Sequence, residues 1–118
     1  MNKRDEHLLL SIKDECEYLF EKAEGRNLDD FIDDRDLKYI VVLVLIKIGE
    51  YVNSMSQELK VKNKHVDWID IVSLRNTAVH NYDGLYMDWI WEVVTRDVPE
   101  LLEQVEEILR VEGVDEGE

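Results

Sequence analysis

One apolar stretch limits the folds open to this chain. Residues 39–46 (Tyr-Ile-Val-Val-Leu-Val-Leu-Ile) are all apolar and rich in β-branched side chains, so by propensity alone they also suit a buried strand. The sequence beyond them favours a helix, because apolar residues keep helical spacing as far as Leu59 and no turn signal intervenes. We therefore predict a helix from about Asp36 to Lys60. Its apolar part is too short to span a membrane, since Lys47 and Glu50 interrupt it.

A helix that is apolar on every side must be covered on more than one of them. A chain of 118 residues is long enough for one domain with a core and too short for two comfortable ones. A second copy of the chain is then the most economical cover. We expect a two-fold homodimer whose interface lies at this helix or beside it.

The remaining segments also carry helical patterns, and hardly any residues alternate with the period of two that strands require. Apolar residues recur every three or four positions from Lys3 to Glu24, where Gly25 ends the first helix. Further helical segments are predicted at 28–32, from Trp68 to the turn formers at 81–84, from Tyr86 to Thr95, and from Asp97, the predicted cap of a last helix with Pro99 in its first turn. The fold class is therefore all-α, with a bundle of four to five helices in residues 1–112. Residues 113–118 are predicted to form a disordered acidic tail.

The segment 75–82, Arg-Asn-Thr-Ala-Val-His-Asn-Tyr, places strongly polar side chains inside an apolar part of the chain. Asp67 is a candidate cap for the helix that contains this segment. At about 100° per residue, positions 76 and 80 share one face of a helix, while positions 75 and 80 are roughly 140° apart. Asn76 is thus the natural local partner of the His80 imidazole. Arg75 reaches that neighbourhood only by curling its side chain or by meeting a group of another chain.

The order of these residues resembles the Arg-x4-His-x-Tyr signature of HepT proteins, the toxin half of HepT/MntA toxin–antitoxin pairs within the HEPN superfamily of small all-helical ribonucleases. The residues that match the motif are Arg75, Asn76, His80 and Tyr82. The resemblance runs from about His7 to Leu109 through the landmarks Ile48-Gly49-Glu50, Trp68, Trp91 and Pro99. Tyr51 departs from the pattern, since the family often has a smaller residue there, and this difference bears on local packing.

The resemblance implies a HEPN-type bundle and a metal-independent endoribonuclease of a type VII-like toxin–antitoxin pair, with its active site at the dimer interface and no cofactor. Arg75 and His80 would be catalytic, and Asn76 would support them. The partners would be an RNA substrate, with tRNA and mRNA as candidates, and an MntA-like nucleotidyltransferase antitoxin that silences the enzyme by attaching AMP to Tyr82. RNA cleavage suits these side chains, because a His exchanges protons near neutral pH and the planar fork of an Arg matches phosphate oxygens.

The net charge of −14 at pH 7 is unfavourable for binding RNA phosphates. Half of this charge, a net of −7, lies in residues 100–118, which hold eight acidic residues and one Arg. Residues 60–82 hold four Lys and Arg residues against two Asp, a net of +2, so the motif region is the least acidic part of the chain. A non-catalytic helical dimer that binds a nucleotidyltransferase partner or a nucleotide stays open as the alternative function.

A few further side chains have expectations of their own. Cys16 has no second cysteine to pair with and lies on the apolar side of the first helix, so we expect it in the core. Trp89 and Trp91 suit either base stacking or a core, and Glu50 suits a structural hydrogen bond better than acid–base chemistry. We expect no metal site, no membrane segment and no signal peptide, and hence a cytoplasmic protein.

Overall fold

The computed structural model describes residues 1–114, and every regular element in that range is helical, which confirms the all-α prediction. The helices are α1 (Lys3–Ala23), α2 (Leu28–Asp33), α3 (Arg35–Ser54), α4 (Gln57–Lys62), α5 (Trp68–His80), α6 (Met87–Glu92) and α7 (Val98–Val111). A 3-10 turn (Tyr82–Gly84) follows α5, and a π-helical turn (Val93–Asp97) joins α6 to α7. Most of the predicted tail, residues 115–118, lies outside the described residues and stays a prediction.

The long helix predicted to run to Lys60 is wrong at its C-terminal end. Met55 has an extended backbone, with φ −72° and ψ 153°, so α3 stops before it. The Ser56 hydroxyl then accepts the Leu59 N–H at 3.2 Å and caps a separate helix, α4. The carboxylate of Asp5, on α1, holds this break by accepting the Ser56 N–H at 3.0 Å and the Ser56 O–H at 2.6 Å. Apolar spacing continues across the break because Met55 and Leu59 are both buried.

The predicted start of a new helix at Asp97 is also wrong. Asp97 has helical backbone angles and its side chain makes no capping hydrogen bond. The Val98 N–H donates to the Val93 oxygen five residues back, which is the bonding of a π-bulge, and Pro99 has no N–H to continue the normal ladder. Helix therefore runs without interruption from 87 to 111. When α6, the π-helical turn and α7 are counted as one continuous helix, residues 1–114 form six helices, whereas the sequence predicts four to five.

The centre of the bundle is α3, which packs against both α1 and α5, while α7 packs against α1. The contact of Asp5 with Ser56 sets the start of α1 beside the end of α3. A ring stack of Tyr39 on Tyr82 sets the end of α5 beside the start of α3. Both neighbours are therefore antiparallel to α3. Cys16 is fully buried where α1 meets the core, as predicted.

A close crossing fixes α5 against α3. A Cβ built on Gly49 of α3 would overlap the Cβ of Arg75 on α5, and it would lie 3.3 Å from the Ile71 carbonyl oxygen. Only a glycine therefore allows this approach without a shift of one helix. The crossing places the motif arginine directly against the residues that follow Gly49.

The last helix ends in a hydrogen-bonded Schellman motif. Gly113 has φ +75°, a conformation that suits glycine, and its N–H donates to the Arg110 oxygen at 3.1 Å. The Val114 N–H donates to the Leu109 oxygen at 2.9 Å, and the Val114 side chain packs against the core. Across residues 1–114, none of the helices combines the length and the apolar character needed to cross a membrane.

Candidate functional site

The predicted motif helix is present with its predicted limits, Trp68–His80, although the predicted cap is absent. Asp67 makes no side-chain hydrogen bond to the helix start. The helix is anchored instead through Trp68, which is buried and whose indole N–H donates to the Asn63 carbonyl at 3.0 Å. The N–H of Trp68 also donates to the Val66 carbonyl at 2.8 Å, which takes up one of the free donors at the helix start.

Arg75 is held by the carboxylate of Glu50 on α3. Its Nε and Nη2 both donate to Oε2 of Glu50, at 2.9 and 2.5 Å. The guanidinium side chain is 24% exposed and that of Glu50 is 49% exposed, so the pair lies at the surface with one side open. The hydrogen bond expected of Glu50 is thus present. Three of the five N–H donors of Arg75 are engaged once its bond to Asn76 is included, and two remain for a ligand.

The expected contact between Asn76 and His80 is wrong in this structure. Oδ1 of Asn76 accepts from Nη1 of Arg75, the preceding residue. The Arg75 side chain is long enough to extend from α5 to Glu50 on α3. In that position its Nη1 also lies within hydrogen-bond distance of the Asn76 amide oxygen. His80, the last residue of α5, is exposed. Within residues 1–114 its imidazole makes no hydrogen bond.

A single chain does not bring Arg75 and His80 onto a common partner. Arg75 faces α3, where Glu50 holds it, and His80 faces solvent at the end of α5. This divergence is what the angle of roughly 140° between the two positions predicts. Within residues 1–114 no side chain hydrogen-bonds to both of them, so nothing in this part of the chain joins the two groups into one site.

Tyr82 follows the motif helix in the 3-10 turn and lies half-buried against α3. Its ring stacks on Tyr39 with centroids 5.4 Å apart and planes inclined by 26°. Partial burial raises the pKa of the Tyr82 hydroxyl above its ordinary value; the neighbouring Tyr39 and Asp83 raise it further, and the positive charge of Arg35 lowers it. The hydroxyl is therefore protonated at neutral pH, and a reaction at its oxygen needs a base to take that proton.

Sequence reasoning missed Arg35 and Tyr39 as neighbours of the motif. The apolar pattern contains Tyr39 only as the first residue of the run 39–46, although the residue is 49% exposed and the Arg35 guanidinium lies 5.7 Å from its ring centre. A signal was present in the spacing, because positions 35, 39 and 43 repeat every four residues along one side of α3 and all three are exposed.

Two grooves flank the motif helix. One, of about 490 Å³, separates α5 from α7; its floor includes Leu45 and Ile48 and its rim carries four carboxylates, Asp67, Asp70, Asp97 and Glu100. The other, of about 640 Å³, lies between α4 and the start of α5; it is lined by Lys60 and Lys64 and also by Asp67 and Asp70, which line both grooves. The first suits a polyanion poorly, and the second suits it better.

The two tryptophans in question occupy different environments. Trp91 is buried and stacks on Phe31 with centroids 5.0 Å apart, so it belongs to the core. Trp89 is 43% exposed and lines the α5–α7 groove. In residues 1–114 there is no group of three His, Cys, Asp or Glu side chains positioned to hold a metal ion.

Known proteins are similar to this chain over most of its length. A family model described as "Ribonuclease HepT-like" matches residues 12–108. A provisionally named RNase of Caldanaerobacter subterraneus subsp. tengcongensis is 37% identical over 107 residues, which cover 91% of this chain and 92% of that protein. A provisionally named RNase of Methanocaldococcus jannaschii is 30% identical over 107 residues, covering 90% and 98%. A protein named a probable ribonuclease HepT, from Thermococcus cleftensis, is 23% identical over 108 residues, covering 92% and 98%. No solved structure matches significantly.

Proposed function

The chain belongs to the HepT-like ribonuclease family, and on that premise we propose that it is a metal-independent endoribonuclease toxin whose active site forms between two copies. The observation that carries this proposal is the pair of open side chains at the motif: Arg75, anchored by Glu50 with donors to spare, and His80, exposed and without a hydrogen bond within residues 1–114. Both side chains therefore keep hydrogen-bonding groups available for a substrate.

RNA cleavage needs three roles at one phosphate. A base takes the proton of the 2′-hydroxyl, an acid protonates the departing 5′-oxygen, and positive charge stabilises the phosphate between them. One chain supplies one motif histidine. A two-fold pair would supply His80 twice, once as base and once as acid, and Arg75 from either copy would bind the phosphate oxygens. The 2′-oxygen then displaces the 5′-oxygen and leaves a 2′,3′-cyclic phosphate, and no metal takes part in the proposed reaction.

Exposed apolar side chains near the motif support a homodimer. On α3 Leu43 is 58% exposed, and on α5 Val79, next to His80, is 51% exposed. At the surface of a monomer such side chains leave apolar area in water. A second copy placed on this face would cover them and bring the two motif helices together.

The regulation we propose acts through Tyr82. An MntA-like nucleotidyltransferase would transfer AMP from ATP: the Tyr82 oxygen attacks the α-phosphorus, pyrophosphate leaves, and a base of the transferase takes the hydroxyl proton. Tyr82 is two residues beyond His80, so the added nucleotide would occupy the cleft mouth and add negative charge there. Modification would therefore switch cleavage off.

Charge distribution supports an approach path for RNA. The groove at the start of α5 balances Lys60 and Lys64 against Asp67 and Asp70, whereas the lining of the α5–α7 groove within residues 1–114 has four carboxylates and no Lys or Arg and would repel phosphates more strongly. We place the incoming strand along the lysine side of α5. The net charge of −14 favours a competing role, a non-catalytic dimer that only binds a transferase or a nucleotide.

The test is cleavage of single-stranded RNA and tRNA in EDTA by the wild type, His80→Ala and His7→Ala. Loss of a general acid–base group lowers the cleavage rate by about a hundredfold or more. We expect that loss for His80→Ala and none for His7→Ala, whose histidine is exposed on α1. Equal cleavage by the wild type and His80→Ala would refute the enzyme proposal. An RNA left intact by the wild type at every concentration would favour the binding role.

A further inference from the structure

Three side chains from two distant parts of the sequence form one surface cluster beside the motif. Arg35 is the first residue of α3, Tyr39 lies one turn later, and Tyr82 follows α5. The rings of Tyr39 and Tyr82 stack with centroids 5.4 Å apart, and the Arg35 guanidinium lies 5.7 Å from the Tyr39 ring centre. We call Arg35, Tyr39 and Tyr82 the tyrosine cluster.

The tyrosine cluster faces solvent. Tyr39 is 49% exposed, and the Arg35 side chain is exposed as well. Tyr39 contributes little to the core, in contrast to Val41 and Val42 that follow it and are buried. An exposed aromatic ring and an exposed guanidinium are the two groups that nucleotides use, since a base stacks on a ring and a phosphate binds an Arg fork. Tyr82 and Arg35 already contact the Tyr39 ring, so a base would stack there in place of the Arg35 guanidinium. The same surface depression as Arg35 also holds four carboxylates that oppose a phosphate, those of Asp30, Asp33, Asp34 and Asp36.

Electrostatics within the cluster agree with its geometry. The Tyr39 hydroxyl raises the pKa of Arg35, and the charge of Arg35 opposes the rise in the pKa of Tyr82.

We propose that Arg35 and Tyr39 form a nucleotide subsite, in which the Tyr39 ring stacks on a base and the Arg35 guanidinium binds the adjacent phosphodiester. The proposal rests on the proposed function for the source of the nucleotide, a unit of the single-stranded RNA next to the bond that is cut. An AMP group attached to Tyr82 would carry the same chemistry to the same guanidinium. Modification would then silence the enzyme by filling a subsite of its own substrate.

Binding tests the subsite without cleavage. A fluorescent 2′-O-methyl oligoribonucleotide, which cannot be cut through its 2′-oxygen, is titrated with the full chain and followed by anisotropy. The variants are Arg35→Gln, Tyr39→Leu and Tyr39→Phe. The matched controls are Arg110→Gln, whose exposed arginine lies at the far end of α7, and Tyr86→Leu, whose tyrosine is 77% exposed.

We expect the affinity of Tyr39→Leu to be weaker by about fivefold to about 150-fold, because stacking on one base is worth about 1–3 kcal/mol and every 1.4 kcal/mol is tenfold in affinity. Tyr39→Phe keeps the ring and should bind within about twofold of the wild type. Arg35→Gln should weaken binding and also reduce the slope of log affinity against log salt by about 0.7, the value for one phosphate of a single strand. Arg35 is exposed, so this variant stays informative even if Tyr39→Leu unfolds.

The outcomes separate this subsite from the proposed enzyme. Affinities of Arg35→Gln and Tyr39→Leu within twofold of the two controls would overturn the subsite, whatever the cleavage assay gives. Weaker binding in both variants would support the subsite even if the wild type left RNA intact, in which case only the enzyme proposal would fail. Competition by free AMP that Arg35→Gln abolishes would support a mononucleotide as the occupant, and absence of competition would support an RNA unit.

Discussion

Gly49 of α3 and Arg75 of α5 meet where the two helices cross, so closely that a Cβ on Gly49 would overlap the Cβ of Arg75. The next residue, Glu50, then lies within hydrogen-bond distance of the guanidinium, with its Oε2 accepting from Nε at 2.9 Å. Backbone packing and the orientation of the proposed catalytic arginine are thus set at one point.

Gly49→Ala should destabilise the fold and weaken cleavage together. The added methyl group must displace Arg75 or separate α3 from α5, and overpacking of this kind costs about 1–3 kcal/mol. Thermal unfolding and RNA cleavage would measure the two effects. Ser54→Ala, at an exposed position of the same helix, is the control and should change neither. Unchanged cleavage in a destabilised Gly49→Ala would show that the crossing does not position the arginine.

Glu50→Gln should reduce cleavage more than stability. The Glu50–Arg75 pair is partly exposed, and such pairs contribute at most about 1 kcal/mol to folding, but its loss frees the guanidinium to move. We expect about a tenfold lower kcat, the effect of a lost positioning hydrogen bond of about 1.4 kcal/mol. Glu92→Gln removes the comparable exposed pair with Arg96 and should leave kcat unchanged. A kcat equal in the two variants would contradict a positioning role for Glu50.

Asp5→Ala should cost more stability than the loss of an exposed carboxylate from the same helix. Asp5 is 2% exposed and its carboxylate accepts two hydrogen bonds from Ser56, so its removal leaves the α3–α4 break without acceptors. Bonds to a charged group are worth about 1.5–3 kcal/mol. Denaturant unfolding would measure this loss, with Asp14→Ala, an exposed position of α1, as the control. Equal stabilities would mean that the break does not depend on this contact.

Cys16 predicts a pH dependence of stability. Burial, with smaller effects of Glu17, Glu15 and Glu106, raises the pKa of its thiol from 9.0 to about 12. Between these values the unfolded chain loses the proton and the folded chain keeps it, so the free energy of unfolding falls by about 1.4 kcal/mol per pH unit as pH rises.

The difference between the wild type and Cys16→Ala isolates this slope from the titration of other groups. The contribution is fully present below pH 9 and disappears toward pH 12. The native thiol should also resist alkylation by iodoacetamide at pH 8 and react after unfolding. If the free energy of unfolding of the two proteins changed in parallel between pH 9 and 12, the raised pKa of Cys16 would be contradicted.

Local pattern was enough to predict much of the fold. Helical spacing predicted the all-α class, the limits of α5 and the burial of Cys16, because each depends on residues three or four positions apart. The break at Met55 could not be predicted in this way. It depends on Asp5, which is 51 residues away from Ser56 and contacts it only once α1 has packed on α3.

The candidate site was predictable in its residues and less so in its contacts. The order of Arg75, His80 and Tyr82 carried the resemblance to the family, and the angle along the helix predicted that the first two would diverge. The predicted hydrogen-bond partner of Asn76, His80, was wrong because the side chain of Arg75 donates to the Asn76 amide oxygen instead. The stack of Tyr39 on Tyr82 joins residues 43 positions apart, which no local pattern contains.

The central claim, a nuclease site shared by two copies, is tested most directly by the cleavage rate per chain of Leu43→Asp, with its mass measured by sedimentation in the same sample. Leu43 is 58% exposed on the proposed interface, and Val111→Asp, at a 64% exposed position of α7, is the control. We predict a wild type and a control that are dimeric and active, and a folded Leu43→Asp monomer that retains His80 but cleaves at least about a hundredfold more slowly. A monomer that cleaves RNA at the wild-type rate per chain would contradict the account.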